Sequence, residues 1–520
     1  MLKKLTENKL ITKEQAQLID KLHHRTKKNI DVLLEEYGYI SGVVRAKIMA
    51  EHHEVEFVNL NNVEITKEAL ECISHDVALK NTILPLYIKN KQLFIAIDES
   101  SDFSKLTTFE YRTKMSIKFV YADTEQLVSQ INSVYKGVKS LHVSMYDFDS
   151  SDVISLLNSL LNSAIEHQAS DIHFSPEHDA LHISFRIDGL LQHMAVIDLD
   201  MLAPLSVRIK NLSDLDMSQK RIALDGSFSY SYLNKDFDFR VSTLPTDMGE
   251  NIAMRILSKD ANLFELDLLG LNDENLKKIK TLIHKPHGAI LLTGPTGSGK
   301  TTTLYATLNE INRLQKNILT IENPIEYRFP FIKQTQYNPK AGYTYDMAIK
   351  SFMRQDPDVI LVGEVRDSQT AKLAMEASMT GHIVLSTLHT NDAISAIARL
   401  KSLDVPAYLI GGGLLAVIAQ RLVRKLCSHC KEVDTSYEEG AVYKAKGCDR
   451  CFHTGYKGRL AIVEIVHVDR KMQGYITENA TQNELYLYAR EQGMQTLQED
   501  AHQKVLNGET SFEEIQRHVF

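Results

Sequence analysis

The residues best suited to chemistry are Gly294, Pro295, Thr296, Gly297, Ser298, Gly299, Lys300 and Thr301, which fit G-x-x-x-x-G-K-[ST] at every fixed position. This is the pattern of a loop that wraps phosphate. Glycines let backbone N–H groups approach the oxygens, a lysine reaches the terminal phosphates, and the adjacent hydroxyl ligates Mg²⁺. The apolar run Ala289 to Thr293 reads as a buried strand before the loop, and Thr302 to Leu314 has the spacing of an amphipathic helix after it. That context favours a nucleotide site, with Thr302 at its edge, over a glycine-rich turn.

Downstream, Asp358 to Glu364 is an apolar strand ending in an acid, the Walker B arrangement that sets a carboxylate beside the metal and the attacking water. Glu364 is the first candidate for both. Ile318 to Ile321 reads as another strand, with Glu322 and Glu326 at its end, where parallel sheets hold ligands. Either acid suits a general base or a structural role. A third strand, bracketed by His382 and His389, brings His389 to the same edge as a γ-phosphate sensor or relay, and His382 to the opposite end.

Arg240 and Arg255 lie on two strand-like runs, Phe237 to Leu244 and Ile252 to Leu257, joined by Pro245 to Asn251. A regular hairpin centred on that connection places them face to face, where like charges destabilise. An anion is therefore expected beside them: Asp238, Glu250, or the phosphate of a nucleotide met by arginine fingers.

Cys427, Cys430, Cys448 and Cys451 form C-x₂-C-x₁₇-C-x₂-C, the spacing of a closed, tetrahedral, structural Zn²⁺ site. Two disulfides are the alternative, disfavoured in a reducing compartment. Cys72 reads as an ordinary buried thiol.

Several domains must position these groups, since the chain has 520 residues. Its charge of −8 and its lack of a basic run argue against a polyanionic partner such as nucleic acid. The N-terminus lacks the apolar core of a signal peptide, and the stretch Val405 to Gln420 is short, glycine-rich and broken by Pro406. A cytoplasmic chain without a membrane-spanning helix is expected. The apolar spacing predicts an N-terminal helical and α/β docking or regulatory module at 1–136, a linker at 137–150, an α+β second domain at 151–262 and a linker at 263–272. An α/β P-loop domain at 273–520 follows, with a zinc-binding insertion at 427–451 and C-terminal helices. Asp188-Gly189 marks a hairpin and Asp225-Gly226 opens a further strand region.

From about residue 60 onward the chain resembles the secretion ATPases that drive type IV pilus assembly and type II secretion, the PilB/GspE family. The resemblance is carried by Ala169 to Phe174, Phe185 to Gly189, Phe239 to Pro245, the P-loop, Thr320 to Glu326, Gly363 to Asp367, Thr380 to His382, His389 to Asn391, Gln420 to Leu422, the four cysteines and Gly455 to Arg459. It implies a PAS-like second domain, a RecA-like ATPase domain, ATP with Mg²⁺ held by Thr301 and Glu364, and structural zinc. It also implies a homohexamer in which Arg240 and Arg255 of one subunit cap nucleotide on another. Asn323 stands where the acidic box usually has an aspartate, and Ser227 where an arginine often follows Asp-Gly.

Retraction ATPases of this kind lack the N-terminal module and the cysteines, and the zinc loop is short for the secretion branch. Pilus assembly is therefore expected, through an inner-membrane platform protein that keeps the chain peripheral at that membrane, with an accessory cytoplasmic-ring protein meeting the N-terminal module. The segment Lys28 to Leu34 before Gly38 lacks the Arg and Gly of the cyclic di-GMP motif, so that ligand is not expected. The competing readings are a type II secretion motor, a nucleic-acid motor and a nucleotide-sensing scaffold that does not hydrolyse.

Overall fold

A computed structural model describes residues 2–519 except 102–114, 137–151, 259–263, 436–441 and scattered stretches of at most three residues. The linker expected at 137–150 lies outside the described residues, as does part of the cysteine loop. The chain divides into two units, Met1–Asn262 and Leu263–Phe520.

The first unit begins with four helices, α1 (Leu2–Glu7), α2 (Lys13–Thr26), α3 (Ile30–Glu36) and α4 (Gly42–His52). A capping box between Thr12 and Gln15 starts α2, and Arg45 on α4 grips Asp31 and Glu35 on α3. There follow β1 (Glu56–Phe57), α5 (Lys67–Leu70), β2 (Ile83–Lys89), β3 (Gln92–Ile97), β4 (Ser116–Tyr121) and α6 (Thr124–Lys136), with a sheet ordered β1-β4-β3-β2.

After α7 (Val153–Glu166) come β5 (Asp171–Pro176), β6 (Ala180–Ile187), β7 (Leu190–Asp198), α8 (Leu202–Leu212), β8 (Leu224–Tyr232), β9 (Lys235–Thr246) and β10 (Gly249–Ser258). Their sheet runs β7-β6-β5-β10-β9-β8. Ile172, Phe174, Ile183, Phe185, Phe239, Val241, Ile252 and Met254 are buried with Leu157, Leu160 and Leu161 of α7. Alternation then assigns the polar residues between them to the other face of the sheet. Asp188 and Gly189 both take positive φ, as a tight hairpin turn demands.

The connection expected over Pro245 to Asn251 is much shorter: Thr246 pairs with Gly249, so Asp247 and Met248 alone make the turn. Pro245 does not end β9, because β8 stops pairing at Thr243 and leaves that flank of the strand without a neighbour. Glu250 is not an arginine partner. It is buried, bonded to Lys210 Nζ at 2.5 Å and Ser206 Oγ at 2.7 Å. Glu250→Ala is expected to destabilise this unit by about 3–5 kcal/mol, because the Lys210 ammonium stays buried without its carboxylate. Denaturant unfolding reads this; a loss under about 1 kcal/mol would mean that water reaches Lys210.

The second unit contains α9 (Asp273–Ile283), β11 (Gly288–Thr293), α10 (Lys300–Glu310), β12 (Ile318–Glu322), β13 (Ile332–Gln336), α11 (Tyr345–Phe352), β14 (Val359–Val362), α12 (Ser368–Met379), β15 (Ile383–Leu388), α13 (Ala393–Ser402) and α14 (Ala407–Gly413). It continues with β16 (Leu414–Leu426), β17 (Glu432–Val433), β18 (Tyr443–Lys444), β19 (Tyr456–His467), α15 (Arg470–Thr477), α16 (Gln482–Glu491), α17 (Leu497–Leu506) and α18 (Phe512–His518). The seven-stranded sheet is ordered β13-β12-β14-β15-β11-β16-β19, parallel except for β19. Apolar layers cover both faces, which is why its strands are apolar at nearly every position.

Helix α10 stops at Glu310, short of Leu314, because Ile311 turns extended and is buried against the sheet. The segment expected as a second linker does more than connect: Phe264 packs edge-to-face on Tyr305 of α10 and on Phe329, and Leu266 is buried. No helix among the described residues is long and apolar enough to cross a membrane; Val405 to Gln420 splits between α14 and β16.

Candidate functional site

Residues Gly294 to Gly299 form the turn between β11 and α10. Two glycines are demanded by one neighbour, Gln420 of β16. A Cβ on Gly294, at φ 147°, would lie 2.4 Å from the Gln420 carbonyl oxygen, and one on Gly299, at φ 82°, 2.9 Å from its Nε2. The same buried side chain clamps the loop, donating from Nε2 to Ser298 O at 2.7 Å and accepting from Thr303 Oγ1 at 2.8 Å. The first helical hydrogen bond in this turn is Thr303 N to Gly299 O. The N–H groups of Lys300, Thr301 and Thr302 thus lie at a helix start, where no preceding turn accepts from them and an anion is favoured.

Lys300 is buried and donates to the carbonyls of Gly294 at 2.8 Å and Pro295 at 2.9 Å, while Pro295, Thr296, Gly297 and Thr301 are exposed at the mouth. Burial lowers the Lys300 pKa, the Arg421 guanidinium lowers it further and the Glu364 carboxylate opposes both. Arg421 itself is held by the carbonyls of Asn391 at 2.9 Å and Gln420 at 3.2 Å.

Sheet order brings the remaining groups together. Strand β15 lies between β11 and β14, so the ends of three parallel strands present the P-loop, His389 and Glu364 on one edge. Thr293 and Thr390 hydroxyls, 2.7 Å apart, tie the first two loops. Glu364 is bonded by Arg366 Nε at 2.6 Å and Tyr345 Oη at 3.4 Å, with His389 Nε2 at 4.0 Å. Burial, then the Lys300 charge, lower the His389 pKa against the pull of Glu364. His382, at the far end of β15, donates from Nδ1 to Ala377 O at 2.9 Å.

Glu322 is turned inward. It accepts from Tyr305 Oη, from Thr320 Oγ1 at 2.5 Å and from Gln334 Nε2 at 3.1 Å, and is almost fully buried. This carboxylate braces β12 and β13 against the P-loop helix. Glu326 remains half-buried in the following loop, its backbone N–H donating to the same Tyr305 oxygen at 3.1 Å.

In the first unit Arg255 pairs in register with Arg240. Asp238, two positions before Arg240, accepts from Ser229 Oγ at 2.7 Å. The anion beside Arg255 is Asp171, on the opposite flank of β10, at 3.0 Å from Nε. Arg186 lies on the other side of Asp171 at 3.5 Å, and Ser227 is the residue opposite Arg240 on β8.

The four Cys Sγ atoms lie within 4.8 Å of one another, with separations of 3.9 Å for Cys427–Cys448, 3.6 Å for Cys430–Cys451 and 3.7 Å for Cys448–Cys451. A tetrahedron of Zn–S bonds near 2.3 Å has edges of about 3.8 Å, which these three separations match, and the 4.8 Å bound on the whole set leaves at most about 1 Å to close around zinc. The backbone N–H groups of Cys448 and Gly455 also donate to Cys451 Sγ, at 3.2 and 3.3 Å, as the outer shell of a thiolate site does.

The family described as "Type II/IV secretion system protein" matches residues 147–517, and the MshEN domain matches residues 53–141. The chain belongs to the type II/IV secretion system protein family. It is 33% identical to the type IV pilus assembly ATPase PilB of Pseudomonas aeruginosa, over 99% of this chain and 96% of that one. It is 38% identical to the type II secretion system ATPase E of Vibrio cholerae serotype O1, over 83% of this chain and 88% of that one. The Legionella pneumophila ATPase DotB shares the fold, with a TM-score of 0.55 at 20% identity, over 72% of this chain and 97% of that one.

This family member is thus a P-loop ATPase, and membership implies ATP and Mg²⁺. The roles of Tyr305, Gln334, Tyr345, Gln420, Asp171 and Arg186 become visible only in the folded chain. Gln420, Asp171 and Arg186 lie inside sequence motifs, whereas the tyrosines and Gln334 carry no signal in the residue order, because the acids they bond lie 12 or more positions away.

Proposed function

We propose that the chain is the motor of type IV pilus assembly, a homohexameric ATPase in the cytoplasm that acts on an inner-membrane platform protein to add pilin subunits. The carrying observation is the end-to-end match to a pilus assembly ATPase, which includes the N-terminal module. In this reading Gly294 to Thr302 hold the triphosphate, with Lys300 on its terminal phosphates and Thr301 with Glu364 on Mg²⁺. Glu364 also orients the attacking water, because Glu322 is committed to three donors and faces away from solvent. Glu326 is the remaining candidate base. Arg240 and Arg255 contact the phosphates bound by another subunit, and His389, within the field of both Lys300 and Glu364, senses the γ-phosphate.

The higher identity to the type II secretion ATPase, over a shorter span, favours the second reading, a secretion motor. Deleting the gene separates the two. Loss of surface pili with secreted enzymes intact is expected; intact pili with lost secretion would reverse the assignment.

A further inference from the structure

The arginine pair does not stand alone on its sheet. Strand order and register place Arg186 of β6, Asp171 of β5, Arg255 of β10, Arg240 of β9 and Ser227 of β8 in one transverse row. Their neighbours in sequence, Phe185, Ile172, Met254, Phe239 and Val241, are buried in the core, so the row lies on the opposite face. Strands are about 4.8 Å apart, which places the three arginines and the aspartate, on four adjacent strands, within about 15 Å.

The carboxylate of Asp171 uses its two oxygens differently. Oδ2 accepts from Ser170 Oγ at 2.8 Å and faces Arg186 Nε at 3.5 Å, while Arg186 Nη1 is itself bonded to Gly189 O at 3.1 Å in the hairpin turn. That side is anchored. Oδ1 accepts from Arg255 Nε at 3.0 Å, the one side-chain hydrogen bond of Arg255 among the described residues. Asp171 is 13% exposed and Arg255 63%, so a fixed base carries a guanidinium that reaches into solvent. A guanidinium held at Nε keeps both Nη groups, the end-on fork that grips two oxygens of a phosphate.

We infer that Asp171 is a positioning residue for Arg255: anchored through Ser170 and Arg186, it fixes the guanidinium by Nε and leaves the Nη fork for a nucleotide phosphate. It also offsets the repulsion between facing arginines that the register imposes. The inference rests on the reading of Arg255 as a phosphate contact. It adds a residue from a strand 84 positions away and explains how a long, exposed side chain is held ready at low entropic cost.

The test is a double-mutant cycle in the full-length, assembled protein. Phosphate release from radiolabelled ATP gives kcat and KM for Asp171→Ala, Arg255→Ala and the double variant, with oligomer size and ATP affinity measured alongside. Asp171→Ala is expected to lower kcat about tenfold with KM within about twofold of the parent. Arg255→Ala is expected to lower kcat by about a hundredfold or more, and Asp171→Ala to add less than about twofold in that background. Asp171→Asn, which keeps shape and an acceptor without the charge, guards against misfolding and is expected to give the same pattern at smaller amplitude. If Arg255→Ala fails but both Asp171 variants turn over normally, or if Asp171→Ala costs as much without Arg255 as with it, the positioning role is overturned. If Arg255→Ala itself turns over normally, the phosphate-contact reading falls, and the role of Asp171 falls with it.

Discussion

Lys300→Ala is expected to reduce phosphate release by about a hundred- to a thousandfold, the usual cost of deleting one preorganised charge from a phosphoryl-transfer site. The geometry explains why no neighbour substitutes. Lys300 is seated between the carbonyls of Gly294 and Pro295 at the first turn of α10, and the nearby cation Arg421 is occupied by the carbonyls of Asn391 and Gln420. The loop's N–H groups survive the substitution, so ATP affinity should weaken without vanishing, and kcat should fall further than KM rises. A steady-state phosphate-release assay with a separate ATP-binding titration checks both. Turnover within about threefold of the parent would remove the P-loop from the mechanism.

The second large effect is on stability. Mass spectrometry under native conditions is expected to find one zinc per chain, and Cys451→Ser or a strong chelator to remove it. Structural zinc contributes about 10–16 kcal/mol to the folding of isolated zinc-finger peptides, far more than the 427–451 loop can replace by packing. The loop's ties to the rest of the unit should loosen as well: Cys427 N to Gly455 O, Leu426 N to Glu509 O and Lys431 Nζ to Gly508 O. Hydrogen exchange should therefore rise in the loop and just before α18, while β11, β14 and β15 stay protected. Acid should have the same effect as the chelator, because protons compete with the metal for thiolates. A zinc-free chain with undiminished protection in this loop would contradict the assignment.

Much of this was legible in the residue order because the relevant physics is local. A P-loop is one turn between a strand and a helix, the cysteine pairs are two short turns, and a tight hairpin fixes register by arithmetic, so the positions of Arg240 and Arg255 predict that they face each other. Local reasoning fails at the next contact. Glu250 is near Arg255 in the chain, yet Ser206 and Lys210 engage it, and the counter-ion of Arg255 is Asp171, brought alongside by the pairing of β5 with β10.

The same division runs through the second unit. Residue type and spacing are enough to single out the candidates for phosphate and metal, namely Lys300, Thr301, Glu364 and the four cysteines. Which acids stay available to that chemistry depends on packing between elements distant in the chain. Tyr305, Thr320 and Gln334 bury Glu322 in hydrogen bonds, whereas the order of β14, β15 and β11 sets Glu364 on the same edge as Lys300 and His389. A carboxylate's reactivity depends on the donors and the solvent around it, and those are supplied by strands and helices far away in the chain.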